Sequence, residues 1–332
     1  MGVKNLSLDL KDKKIIRELN RNSRQSTIQI AKKTGLSKEV VFYRINNLIE
    51  KGVITQFVTY IDLQRLGYTF YNVFFKLKHF SKSDEKRVFE RIKDMPEVGW
   101  FVKSRGEWKL VVCLMAKDPS EFDKSLAKVM DILGNRVIRY DFFIVIEAHQ
   151  LSYKAVLDSP KEEFPIQSLL GNPEPLILKK NDLLVLKELS QNARITKNEL
   201  SKESGLTLEM VRHSMKKLEK SRLIQAYKPI LDVSRVGYSW HIMLIQFQYS
   251  SEKRKKKFVN FLKNQLEVYY IVKGVGNWGL MIDFHTKTLE DFNMIQDKIN
   301  DEFEDLIGDE VVFEVLKVHK CTFFPENILS KN

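Results

Sequence analysis

The chain repeats itself at a fixed offset of 170 residues. The offset pairs Arg24 with Arg194 and Trp108 with Trp278, and it carries Gly67-Tyr68 onto Gly237-Tyr238. From residue 12 to residue 149 the alignment needs no gap, and roughly a quarter of the paired positions are identical. Identity this far above chance indicates a tandem duplication. Both halves must therefore adopt the same two-part fold.

The segment between the copies, residues 157–177, holds four of the eight prolines of the chain: Pro160, Pro165, Pro173 and Pro175. Proline-rich segments favour extended conformations and behave as stiff spacers. The sequence therefore predicts an extended linker that is long enough to reach across a domain.

The first part of each copy, residues 1–60 and 178–230, has the pattern of three short helices followed by a strand. Ser26 and Ser37 can cap the second and third helices, and Gly35 ends the second. After Gly52 the alternating run VITQFVTYID is typical of a strand. Three helices with a tight turn before the third, and then a strand, predict a winged helix-turn-helix domain.

The third helix of each copy carries its polar side chains opposite the apolar stripe, where they could face a DNA groove. These predicted DNA-binding residues are Ser37, Lys38, Glu39, Phe42, Tyr43, Arg44, Asn46 and Asn47 in the first copy, and Thr207, Arg212, His213, Lys216, Lys217 and Lys220 in the second. Charge supports this interpretation. The formal net charge is +12, and residues 1–60 hold 12 Lys/Arg against 5 Asp/Glu. A positive excess on these parts favours double-stranded DNA as partner.

The first sixty residues resemble the N-terminal domain of the Lrp/AsnC family of transcription regulators. The resemblance rests on the aspartate at Asp12, the NSR motif before the second helix, the GLS motif, Arg44 and the late LGY motif. The second copy matches less well, because Ser214 stands where the first copy has Arg44, and Arg222 replaces Gly52.

The second part of each copy, residues 61–156 and 231–328, reads strand, helix, strand, strand, helix, strand. This order predicts a ferredoxin-like α+β sandwich. It resembles the domain with which the same family oligomerises and senses small effectors, often amino acids, at subunit interfaces. The family's hairpin usually reads Gly-x-x-Asp, whereas Lys109 and Gly279 replace the aspartate here. We therefore expect any effector to differ from an ordinary amino acid.

The residues that match the family's effector hairpin are Gly106, Trp108, Gly276 and Trp278. Each has a structural explanation too, since a turn with positive φ favours glycine and buried tryptophans serve as core residues. His149 and His319 end equivalent strands. We expect solvated histidines there rather than metal ligands.

The sequence gives little support to other classes of function. It has no run of about 18 apolar residues that would span a membrane. Its two cysteines, Cys113 and Cys321, form no CxxC pair. No catalytic triad, phosphate-binding glycine loop or paired-carboxylate motif stands out, so we expect no cofactor, no metal, no catalytic residue and a cytoplasmic location.

Two alternatives stay open. One is an enzyme like the siroheme decarboxylases, which share this two-part architecture. The other is a helix-turn-helix module that binds protein. The regulator hypothesis further predicts that the two copies pack as a covalent pseudo-dimer, and that whole chains associate into larger homo-oligomers.

Overall fold

A computed structural model describes residues 6–159, 166–168 and 174–331 of the chain. The elements of the first copy are α1 (Leu10–Arg21), α2 (Thr27–Thr34), α3 (Lys38–Glu50), β1 (Ile54–Ile61), β2 (Thr69–Leu77), α4 (Lys82–Lys93), β3 (Val98–Gly106), β4 (Leu110–Ala116), α5 (Pro119–Leu133) and β5 (Val137–Gln150). A short helix α6 (Lys154–Leu157) and strand β6 (Ile166–Ser168) follow. The second copy has α7 (Lys180–Gln191), α8 (Lys197–Ser204), α9 (Leu208–Lys220), β7 (Ile224–Leu231), β8 (Ser239–Phe247), α10 (Glu252–Lys263), β9 (Val268–Gly276), β10 (Leu280–Thr286), α11 (Leu289–Phe303) and β11 (Ile307–Cys321).

The helix starts follow from local sequence. The Ser26 side chain accepts a hydrogen bond from the Gln29 backbone N–H, and the Gln29 side chain accepts one from the Ser26 N–H. Thr196 and Glu199 form the same capping box at the equivalent helix of the second copy. Such caps satisfy N–H groups that a helix leaves unpaired at its start. The predicted winged helix-turn-helix domains and ferredoxin-like βαββαβ domains are confirmed in both copies.

The strand after each recognition helix pairs with its counterpart in the other copy. β1 and β7 form a two-stranded antiparallel ribbon in which Val58 lies opposite Lys228 and Thr59 opposite Tyr227. Reciprocal backbone bonds flank the ribbon, from Asp62 N–H to the Leu223 carbonyl at 2.8 Å and from Asp232 N–H to the Val53 carbonyl at 2.9 Å. The predicted strand exists, but it is buried along most of its length instead of alternating, because the second copy covers it.

The two βαββαβ parts share one continuous sheet. Within the first copy the strand order is β5-β2-β4-β3, and within the second it is β11-β8-β10-β9. β3 pairs with β11, and β9 pairs with β5, so that the strands close into a ring. Among the described residues, this closed ring leaves no unpaired sheet edge in either βαββαβ part.

Glycines allow close backbone approach at the two seams between the copies. Gly106 lies opposite Phe313 and Gly276 opposite Phe143, with φ angles of +133° and +150°. A Cβ atom at Gly106 would lie 2.8 Å from Cβ of Phe313. Both the positive φ and this approach require glycine. Glycine is therefore needed at Gly106 and Gly276 because the strands of the two copies pair there.

Part of the predicted linker has regular structure. Its first residue belongs to helix α6, and β6 pairs with the end of β5, placing Ser168 opposite Ala148. Pro160, Pro165 and Pro173 lie outside the described residues, and the extended conformation predicted around them stays a prediction. In the described ranges no helix is both long and apolar enough to cross a membrane.

Candidate nucleic-acid interface and ligand cavity

Helix α3 presents an exposed face that includes two large aromatic side chains. Phe42 and Tyr43 are 59% and 69% exposed, whereas Val41, Ile45 and Leu48 are buried on the opposite side. Lys38 and Glu39 are also exposed, and Asn46 and Asn47 are half-buried. Ser37 caps the helix, its hydroxyl accepting from the Val40 N–H at 3.2 Å. Aromatic faces this exposed are costly to leave in water and suit a partner surface.

Helix α9 presents a cationic face at the equivalent position. Arg212, His213, Lys216 and Lys220 are exposed. Thr207 caps this helix, accepting from the Met210 N–H at 3.2 Å. The two recognition helices thus offer different chemistry: aromatic and amide groups on α3, mainly positive charge on α9.

Two half-exposed residues that are predicted to contact DNA form ion pairs within their own domains. The Arg44 guanidinium lies 2.8 Å from carboxylate oxygens of both Asp9 and Asp12. In the second copy Lys217 lies 2.5 Å from Asp182, the counterpart of Asp12. Each cation therefore neutralises the carboxylate at the start of its own first helix. Arg44 and Lys217 are thus already paired within the protein, and their contact with DNA stays a prediction.

The predicted effector residues do not surround a shared site. Trp108 and Trp278 are 0% and 5% exposed and pack into the core. The Trp108 ring lies 5.9 Å from Phe74 between centroids, with the Arg139 guanidinium 5.0 Å from its centre. Gly106 and Gly276 form the seams described above. These residues have structural roles here, and none of them lines the cavity described next.

A cavity of about 110 Å³ lies between the β1–β7 ribbon and the ring of strands. Tyr60 and Leu231 line it from the ribbon, and Tyr153 from the segment after β5. The remaining walls come from both copies and include six aromatic side chains: Phe70, Trp100, Trp240, Tyr269, Tyr270 and Phe323. The only two cysteines of the chain, Cys113 and Cys321, also line it. Sequence reasoning missed this cavity, because its walls come together only when the copies pair.

The polar residues of the cavity come mainly from the second copy. Asp283 is 3% exposed and His285 is 2% exposed, while their counterparts in the first copy are Cys113 and Met115. Burial raises the pKa of Asp283 well above its ordinary value, and the nearby Trp240 indole offsets this pKa rise only in part. Burial lowers the pKa of His285 to about 3, so this ring is neutral at physiological pH. The duplicated fold therefore encloses a site that is asymmetric.

Hydrogen bonds connect this cavity to the ribbon. The Tyr153 hydroxyl accepts from the Leu231 N–H at 3.1 Å and from the Tyr269 hydroxyl at 3.1 Å. Gln150 donates to the Tyr269 hydroxyl at 2.7 Å. A change in the cavity can thus reach the strand that follows a recognition helix.

The two strand-end histidines differ from the expectation of solvated side chains. His149 is 5% exposed, with its Nε2 2.7 Å from a Glu147 carboxylate oxygen. The His319 ring stacks on Phe101 at 4.9 Å between centroids. The expectation of a solvated side chain was wrong for His149, and His319 is half-buried, because the pairing of the copies covers these strand ends. Within the described ranges no group of three or more His, Cys, Asp or Glu side chains could hold a metal ion.

Comparison with known proteins agrees with the fold. A family model described as winged helix-turn-helix DNA-binding matches residues 8–55 and 178–225. HTH-type transcriptional regulator Ptr1 of Methanocaldococcus jannaschii is 32% identical over 128 residues, which are 39% of this chain and 85% of that protein. HTH-type transcriptional regulator FL11 of Pyrococcus horikoshii is 30% identical over 143 residues, 43% of this chain and 92% of that protein.

A solved structure of the siroheme decarboxylase NirDL covers 97% of this chain and 96% of its own, with a TM-score of 0.60 and 13% identity. At that identity the likeness shows the fold alone. Ptr1 and FL11, by contrast, are at least 30% identical to this chain over most of their own length. The chain therefore belongs to the Lrp/AsnC-type family of helix-turn-helix transcriptional regulators, in a tandemly duplicated form.

Proposed function

We propose that this DNA-binding regulator acts on specific DNA sequences as a covalent pseudo-dimer with two non-identical recognition helices. The observation that carries the proposal is the β1–β7 ribbon. Its strands begin at Ile54 and Ile224, each a few residues after the end of the recognition helix, α3 on one side and α9 on the other. Two helices joined through one ribbon have a fixed relative position, as in a dimer that reads two half-sites.

The exposed side chains support a division of labour between the helices. The proposed base-reading residues in the first copy are Lys38, Glu39, Phe42, Tyr43, Asn46 and Asn47, and the proposed residues of the second copy are Arg212, His213, Lys216 and Lys220. Ser37 and Thr207 sit at the helix N-termini, where backbone N–H groups suit phosphates. Helix α3 would contribute more specificity, and α9 more phosphate contact.

Selection of bound duplexes from random DNA tests the proposal. Because the helices differ, the selected sites should hold two different half-sites, separated by about 34–36 Å or a multiple of it. Perfect palindromes would contradict the proposal, and so would the absence of any enriched sequence.

Larger assemblies and a small effector belong to the same proposal. β5 exposes apolar Ile138, Tyr140 and Ile146, which support contacts between whole chains. Light scattering of the purified chain should therefore give a mass above that of one chain.

No observation on the described residues specifically favours the decarboxylase alternative over the regulator, since the likeness to NirDL is one of fold.

A further inference from the structure

The cavity contains a carboxyl group that lacks a counter-ion. Asp283 is 3% exposed, and its Oδ1 has no hydrogen-bond partner among the residues that the structure describes. The indole Nε1 of Trp240, beside it, is also buried without a partner of normal geometry. Within the described ranges no lysine or arginine lines the cavity. An unpaired buried carboxyl group is costly, which suggests that a ligand supplies the missing partner.

The walls around this carboxyl group suit a positively charged ligand. The rings of Trp240, Tyr269 and His285 pack closely, with His285 4.5 Å from Tyr269 and 5.6 Å from Trp240 between centroids. Trp100 lies 6.1 Å from Trp240. The faces of tryptophan and tyrosine rings attract cations, and the attraction grows when water is excluded. One carboxylate among such rings complements one positive charge.

We propose that the cavity binds a small organic monocation of the amine class, with Asp283 as its counter-ion. The ammonium group donates a hydrogen bond to Oδ1, and the apolar body of the ligand packs against the aromatic walls. Asp283 gives up its proton to solvent as the cation enters, so that the occupied site holds one negative and one positive charge. The Trp240 N–H then has a carboxylate acceptor within reach.

Other ligand classes fit this arrangement less well. A free amino acid would bring a carboxylate, and none of the described lining residues is a lysine or arginine that could pair with it. A neutral ligand could not stabilise the ionised form of Asp283, and it would offer no positive charge to the aromatic faces around it. This agrees with the replacement of the family's hairpin aspartate by Lys109 and Gly279.

The other titratable groups of the cavity do not compete for the ligand charge. Burial raises the pKa of Tyr60 and Tyr269 well above the ordinary value and that of Tyr153 to about 12. Burial likewise raises the pKa of Cys321 to about 12 and that of Cys113 further. His285 is neutral, and Tyr270 also lines the cavity. Asp283 is thus the group whose ionisation should follow cation binding, and affinity should rise with pH until it is ionised in the free protein.

The position of the cavity gives binding a route to DNA, and this step rests on the proposed function. Tyr60 on β1 and Leu231 on β7 both line the cavity. A ligand there contacts the ribbon that joins the two recognition helices. Occupancy should therefore change the fit of the helices to their half-sites.

Calorimetric titration of the full-length chain tests the binding site with three matched probes. Phenethylamine, phenethyl alcohol and phenylalanine share one aromatic body and differ in charge. We expect phenethylamine to bind at least about tenfold more tightly than the other two, since a hydrogen bond to a charged group strengthens binding by about that factor. Asp283→Asn should abolish the preference. Asp297→Asn, at an exposed position of α11, is the matched control and should keep it.

The native cysteines give a second readout, because the only thiols of the chain lie in this cavity. Phenethylamine should slow alkylation of Cys113 and Cys321 in the unchanged chain but not in the Asp283→Asn variant. If that variant fails to fold, Asp283→Cys is the substitute for the titrations, since cysteine occupies the equivalent position of the first copy.

Equal affinity for the amine and the alcohol, unchanged affinity in both Asp283 variants, or no binding of any probe would overturn the proposed site. DNA binding is measured separately on the selected site. If phenethylamine binds as expected but leaves DNA affinity unchanged, the site stands and its coupling to the helices is wrong. Absence of all DNA binding without the probe would instead contradict the proposed function.

Discussion

Arg24 and Arg194 hold the two helix-turn-helix units together by reciprocal hydrogen bonds. Nη1 of Arg24 donates to the carbonyl oxygens of Ala193 and Ile195, at 2.5 and 2.9 Å. Nη1 of Arg194 donates to those of Ser23 and Gln25, the equivalent pair in the first copy. Each guanidinium also lies 5.3 Å from the centre of an aromatic ring on the other copy's side of the ribbon, Tyr227 or Phe57. The equivalent arginine of each copy thus makes the same contact with the other copy.

Removing either arginine should destabilise the helical region. Each of Arg24→Ala and Arg194→Ala should lower the free energy of unfolding by about 1.5–3 kcal/mol, because partly buried carbonyls would no longer have a charged donor. Urea titration followed by far-ultraviolet circular dichroism measures this. Arg91→Ala, at an exposed position of α4, is the control and should change stability little. Wild-type stability in a variant that carries both Arg24→Ala and Arg194→Ala would show that these hydrogen bonds contribute nothing to stability.

In the first copy Arg44 forms a salt bridge with Asp12. In the second copy the equivalent carboxylate, Asp182, pairs instead with Lys217, which lies one turn further along its helix. Burial raises the pKa of Asp182, but hydrogen bonds from Lys217, Ser214 and the Lys179 backbone outweigh it and leave the pKa below its ordinary value. A depressed carboxyl pKa stabilises the fold above the pKa of the unfolded chain, about 3.9. That contribution disappears as the pH falls through the folded-state pKa.

Lys217→Ala should therefore lower the free energy of unfolding at neutral pH by about 1.5–3 kcal/mol. The difference from wild type should shrink below about pH 4, as Asp182 becomes protonated. Denaturant titrations across this range measure it. Adding Ser214→Arg, which restores the residue found at Arg44 in the first copy, should recover part of the stability. A deficit that stays the same at every pH would rule out Asp182 as the partner.

Periodicity and capping predicted the elements of each copy, because those signals are local. Ser37 and Thr207 cap the third helices as the sequence predicts. The cavity could not be predicted in the same way. Asp283 reads as one polar residue in an apolar strand, and its surroundings include Tyr60 and Tyr153 from the other half of the chain. The ion pair of Lys217 with Asp182 could not be predicted for a related reason, since Asp182 lies on another helix.

One position in the second copy has a backbone conformation that suits glycine better. Arg222 has φ of +57°, and its counterpart Gly52 has φ of +70°. A residue with a Cβ atom is destabilised by roughly 1–2 kcal/mol in this left-handed region. Arg222→Gly should therefore raise the free energy of unfolding by about 1 kcal/mol.

Gly52→Arg is the reciprocal variant and should lower the free energy of unfolding by a similar amount. A Cβ atom at Gly52 would lie no closer than 3.7 Å to its neighbours, so the cost comes from the backbone. Thermal unfolding of both variants beside wild type provides the measurement. Shifts of the same sign in the two variants would refute the backbone explanation.

The two recognition helices should respond differently to substitution. Tyr43 and Asn46 lie on the aromatic face of α3, and Tyr43 is 69% exposed. Replacing both with alanine should relax discrimination at one half-site only, at a cost of about 1–3 kcal/mol for each interaction with a base that the substitutions remove. Binding to sites that carry a mismatch in one half-site at a time measures this effect.

Replacing Lys216 and Lys220 of α9 with alanine should instead weaken binding to every sequence. Both side chains are exposed, and neither makes an ion pair with another described residue. Removing one lysine–phosphate interaction should reduce the slope of log affinity against log salt concentration by about one. Lys253 and Lys256 of α10 provide the matched control pair, because they carry the same charge away from the helix-turn-helix units. If the control pair flattened the salt dependence equally, the charge of the whole chain rather than α9 would account for phosphate binding.

The substitutions of Tyr43 and Asn46 have their own contrary outcome. If they weakened binding to both half-sites alike, the two helices would not read different sequences.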